Sequence, residues 1–132
     1  MGIVLGKGRR IAGSLWGALL AVPLVLVMTG CETEDYSDHN PPAGQGSLII
    51  DNHTADHISI FLDGAARDKV NDSSDRILDL KPGVYRLVLT EEDGGNRSYG
   101  ADVDVLEGRL TILEVWTSSD PHAYDVTTRF DN

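Results

Sequence analysis

The sequence predicts an all-β fold, a small antiparallel β-sandwich of about seven strands, behind a leader that is no part of it. Three observations carry that expectation. From Ser47 onward, apolar and polar residues alternate over short runs, and no 3.6-residue period competes with them. Turn chemistry separates the runs at close intervals: Asp63-Gly64, Lys81-Pro82-Gly83, Asp93-Gly94-Gly95 and Glu107-Gly108. The chain has one cysteine, so no internal disulfide is available and two packed inner faces must supply the stability. A length of 132 residues suits one such domain.

Taken in order, Leu48-Ile49-Ile50 opens the first strand, and Ile58, Ile60 and Leu62 share one face of the second, which Asp63-Gly64 ends. Arg76 to Leu80 is short and stops at Lys81-Pro82-Gly83, where Pro then Gly fits the two central positions of a type II turn. Val84 to Thr90 turns Tyr85, Leu87 and Leu89 one way, and Glu91 to Asn96 reads as a hairpin loop. Tyr99, Ala101, Val103 and Val105 form the apolar face of the next strand, with Asp102 and Asp104 on its wet side. Leu110 to Thr117 is apolar on both faces, which predicts a central position. Tyr124, Val126, Thr128 and Phe130 alternate in the last strand, with Tyr124 and Phe130 expected in the core.

Charge is distributed unevenly. Asp and Glu number 21 against 11 Lys and Arg, yet Glu32 is the first acidic residue and Lys7, Arg9 and Arg10 precede it. A chain this acidic lacks the clustered cations that phosphate contacts need, so no nucleic-acid partner is expected. After the basic start, Ile11 to Met28 carries no charge, and Thr29-Gly30-Cys31 follows. Here the sequence resembles a bacterial lipoprotein signal peptide. The lipobox match is Met28-Thr29-Gly30-Cys31, with Met where the family usually has Leu. The resemblance implies a signal over residues 1–30, a diacylglycerol thioether on Cys31, cleavage before it, and acylation of its new amine by a chain such as palmitate. The implied partner is the membrane and the implied address the bacterial cell envelope. Glu32, not the Asp linked to inner-membrane retention, favours the outer membrane, facing the periplasm or the surface. An uncleaved apolar span and secretion with a free thiol are the alternatives, and Pro23 inside the run speaks for processing.

Residues 31–46 hold almost nothing apolar and include Pro41-Pro42, which reads as a flexible acidic tether with an r.m.s. reach of roughly 20 Å. Residues 47–132 form the domain. It resembles small envelope β-sandwich modules of the PEGA type and, more loosely, transthyretin-like folds. The residues that carry this are Ile58 to Gly64, then Leu80 to Leu87, then Val103 to Gly108, and the namesake tetrapeptide is absent. The resemblance implies a binding or scaffolding role.

The chemistry-bearing residues are sparse. His53 and His57 straddle a loop and a strand start, where a spacing of four does not converge on a metal, and His39 falls in the tether and is expected free. Asp68, Asp72 and Asp75 are weak candidates for Ca²⁺, because their loop offers oxygen ligands without the EF-hand spacing. No Gly-x-Ser-x-Gly or marked nucleophile–base set occurs, so neither catalysis nor a cofactor is expected. Trp116, at a strand end, is weighed between packing and recognition of a partner. The resulting expectation is a lipid-anchored envelope protein whose non-catalytic domain binds an unknown envelope protein or glycan. A carbohydrate- or calcium-binding module is the alternative.

Overall fold

In the computed structural model, which describes residues 36–132, eight strands follow a single 3₁₀ turn at Tyr36–Asp38. They are β1 (Gly46–Asn52), β2 (Ile58–Leu62), β3 (Ala65–Val70), β4 (Asp75–Leu80), β5 (Gly83–Glu91), β6 (Ser98–Val105), β7 (Leu110–Thr117) and β8 (Tyr124–Asp131). One sheet has the order β4-β1-β7-β8 and the other β3-β2-β5-β6. The all-β sandwich expected from the sequence is the fold that forms. The signal run, the lipobox with Cys31 and the tether from Glu32 to Asp35 lie outside the described residues.

Alternation builds the core. Leu48 and Ile50 of β1 and Leu113 and Val115 of β7 point inward from one sheet, and Ile58, Ile60, Leu87 and Leu89 meet them from the other, all fully buried. Each such side chain contributes about 1.5–3 kcal/mol by leaving water. The strand from Leu110 to Thr117 is central, between β1 and β8, as its two apolar faces predict.

Four features depart from the expectation. An eighth strand, β3, pairs with β2 through a two-residue turn in which Asp63 and Gly64 both have positive φ, at 51° and 81°. Its sequence hides it, because Ala65 to Lys69 edge the sheet and only Val70 is buried. Secondly, β1 and β7 run parallel, with Asp51 opposite Glu114, so the sandwich is not antiparallel throughout. Thirdly, Gly83 takes φ 159° and already belongs to β5, so the chain bends at Pro82 without the type II turn. Fourthly, Phe130 is 51% exposed, because it lies in the C-terminal half of the edge strand β8, where every residue from Thr127 onward is exposed; Tyr124 is buried as expected.

The described part of the tether is not free. Tyr36 packs with Ile77 against Ile49, Leu110 and Ile112, a second apolar cluster on the outer face of the first sheet. His39 Nε2 lies 2.8 Å from Asp79 Oδ1, and the Ser47 hydroxyl donates to the same oxygen. The apolar outer positions of β1 and β7 need cover, and the chain immediately before β1 supplies it.

Both open sides of the sandwich are closed by arginine. Arg76 of β4 binds Asp68 of β3 through two bonds of 2.8 and 2.7 Å, joining the two edge strands. On the other side Arg97 donates to the carbonyls of Ser118, Asp120 and Ala123, holding the loop before β8.

Candidate functional site

The outer face of the first sheet changes character along its length. Near Tyr36 it is apolar and covered; toward the far ends of β1 and β7 it becomes charged and aromatic. Period-two geometry places Ile49, Asp51 and His53 on this face from β1, and Ile112, Glu114 and Trp116 from β7. The parallel register sets Asp51 directly opposite Glu114, and the antiparallel register with β4 sets Asp51 opposite Asp75. Three carboxylates therefore stand in one row across three strands.

Around that row the side chains are held in place. The Tyr36 hydroxyl donates to Asp51 Oδ2 at 2.8 Å and accepts from Arg129 Nη2 at 3.2 Å. Burial and the Asp51 carboxylate push the Tyr36 phenol above its ordinary pKa. His53 Nε2 lies 3.0 Å from the same Asp51 oxygen. The His53 ring stacks on Trp116, with centroids 4.0 Å apart and planes 5° from parallel. Arg129 Nε approaches Glu114 Oε1 at 3.5 Å, and its guanidinium lies over the Tyr36 ring. The Asp51 side chain is 15% exposed, less than those of Glu114, His53 and Arg129.

Among the described residues, Asp51, His53 and Glu114 are the set whose ligand atoms converge, each within 4.8 Å of the others. The calcium candidates do not converge in that way. Asp68 is engaged by Arg76, which draws its carboxyl below the ordinary range. Asp72 Oδ1 lies 3.7 Å from His57, and Asp75 stands on β4 beside Asp51. His39, expected free, is paired with Asp79. Trp116 is 46% exposed, packing on His53 while leaving indole surface in solvent. Cys31 lies outside the described residues.

Sequence reasoning missed Asp51, Glu114, Tyr36 and Arg129 as members of one group. Their alternation with buried residues was legible; the parallel pairing of two strands far apart in sequence was not.

A concave feature lies elsewhere, between the edge strands β3 and β4. This cleft of about 420 Å³ is lined by Leu62, Arg67, Lys81 and Tyr85 among others. Asp63 and Asp79 also face it, but Asp63 accepts the Arg86 amide and Asp79 is taken by Ser47 and His39.

Neither a protein-family model nor a curated protein matches the chain. Among solved structures, it is similar to the C-terminal domain of AlgF from P. aeruginosa, with a TM-score of 0.53 and 14% identity. The match covers 67% of this chain and 99% of that one. At that identity the likeness is one of fold: both are small β domains.

Proposed function

We propose that the chain is a bacterial envelope lipoprotein, anchored through lipid on Cys31, whose β-sandwich is a non-catalytic binding or scaffolding domain. The observation that carries this reading is the lipobox Met28-Thr29-Gly30-Cys31 directly after a charge-free run. The docked position of Tyr36 adds to it, because only Glu32 to Asp35 separate Cys31 from that packed side chain in sequence. Five chain steps span at most about 18 Å, so a lipid on Cys31 would keep the domain close to the bilayer. The charged groups of the outer face lie on an open sheet surface and not in an enclosed pocket, which suits recognition over chemistry. Acidity also argues for a covalent anchor, since anionic headgroups repel such a surface.

Fractionation of cells making Cys31→Ser tests the anchor. The variant is expected in the soluble fraction without fatty-acid label, and membrane association equal to wild type would overturn the reading. Binding is tested by crosslinking in intact cells, with Trp116→Ala expected to weaken capture of the specific partner. The exposed indole of Trp116 favours one second reading, a carbohydrate-binding module that stacks a sugar on that ring. Retention on an envelope glycan, lost in Trp116→Ala, would distinguish it from a protein scaffold.

A further inference from the structure

We infer that Asp51, His53 and Glu114 form a binding site for a first-row divalent metal ion such as Zn²⁺. This rests on the folded domain alone and stands whether or not Cys31 carries lipid. Three observations converge on it. The donor atoms, one imidazole nitrogen and two carboxylate oxygens, already lie within 4.8 Å of one another. Ligands of a tetrahedral Zn²⁺ at about 2.0–2.2 Å sit roughly 3.4 Å apart, so small rotamer adjustments close the set.

Each donor is also oriented by a group that is not itself a donor in the set. Trp116 holds the His53 ring by stacking, the Tyr36 hydroxyl holds Asp51, and Arg129 touches Glu114. Such outer partners are what fix metal ligands in place before the ion arrives. Independently of the donor geometry, the registers set Asp75, Asp51 and Glu114 opposite one another on one face. Like charges directly opposite destabilise a sheet. Arg129 is shared between Glu114 and Asp131 at 3.5 and 3.6 Å, while Tyr36 and His53 engage Asp51. A dication bound between Asp51 and Glu114 would relieve the repulsion of these two carboxylates.

The donor chemistry selects the ion. Imidazole suits Zn²⁺, Ni²⁺ and Co²⁺, whereas Ca²⁺ and Mg²⁺ prefer oxygen alone. Three protein ligands on an open face leave a fourth position for water or for a donor from a partner. A metal held there would therefore bridge this face to a carboxylate or imidazole on another molecule.

The full chain, purified in detergent with Trp16→Phe and stripped with chelator, carries one tryptophan that stacks on a ligand. Titration with Ni²⁺ should quench Trp116 fluorescence, and Zn²⁺ should raise the melting temperature. His53→Ala and Glu114→Gln should each weaken Zn²⁺ binding at least tenfold by calorimetry, and His57→Ala, outside the set, should leave it unchanged. Because these side chains are partly exposed, the variants should fold, and circular dichroism verifies this. Zn²⁺ affinity no better than millimolar, or unchanged in both His53→Ala and Glu114→Gln, would overturn the site. Cell fractionation of the same variants should match wild type, so a failed metal site and a failed anchor are told apart.

Discussion

Gly46 shows how one atom constrains the start of the domain. A Cβ built there would lie 2.1 Å from the Leu106 carbonyl oxygen and 2.8 Å from Val105, so the backbone of β1 can pass the end of β6 only without a side chain. Gly46→Ala is expected to cost about 1–3 kcal/mol, read as a lower midpoint of denaturant unfolding, because backbone must move to admit the methyl. Asp79 is a residue whose charge matters to the fold. Burial pushes its carboxyl up, but hydrogen bonds from Ser47 and His39 outweigh that and hold it below the ordinary range. A carboxyl depressed in the folded state stabilises above its unfolded pKa, and the contribution is lost as pH falls through the folded value. The expected window is therefore below about pH 4. Asp79→Asn should flatten the acid limb of the stability–pH profile there, and Asp68→Asn, depressed chiefly by Arg76, should do the same. An unchanged limb in both variants would contradict these assignments. At this scale the sequence was readable wherever local chemistry decided the outcome. Asp63-Gly64 signalled its turn because two adjacent residues needed positive φ, and Asp-Gly is the pair that tolerates it. His39 was unreadable, because its partner is 40 residues away.

The segment from Tyr36 to Gln45 behaves as a lid over an apolar stripe, although its composition has the signature of a linker. It contributes a single aromatic ring, a histidine contact and a few backbone bonds, and that suffices because Ile49, Leu110 and Ile112 would otherwise face water. Tyr36→Ala should reduce stability by about 2–4 kcal/mol if the stripe stays covered poorly, in line with other large-to-small changes at packed sites. It should also speed amide exchange in β1 and β7 and leave β2 and β5 nearly unaffected. Equal protection in all four strands would show that the segment is ornamental. Arg97 has a comparable role for the loop before β8. Arg97→Ala should raise exchange and proteolytic nicking at 118–123 selectively, since three carbonyl partners are lost together. Elements with a buried face were legible from alternation alone, as β2, β5 and β6 show. β3 was not, because its burial is confined to Val70 and an edge strand has no apolar face to reveal it.

At the scale of the whole molecule, the architecture followed from composition and periodicity, but the pairing of distant strands did not. Alternation tells which residues face inward; it says nothing of which strand lies alongside, and a parallel neighbour leaves no hairpin turn to mark it. The candidate site depends on that pairing, since Asp51 meets Glu114 only through the β1–β7 register. The same pairing governs when the domain can form. β1 sits between β4 and β7, and its partner in β7 arrives roughly 60 residues later in the chain, which places the central contact of this sheet among the slow, non-local ones. A nascent chain holding β1 through β6 has the second sheet in full but only β4 and β1 of the first. Commitment to the native state therefore waits until most of the polypeptide has emerged. A chain cut before β7 keeps every strand of the second sheet, yet Ile58, Ile60, Leu87 and Leu89 then lack Leu113 and Val115 to pack against.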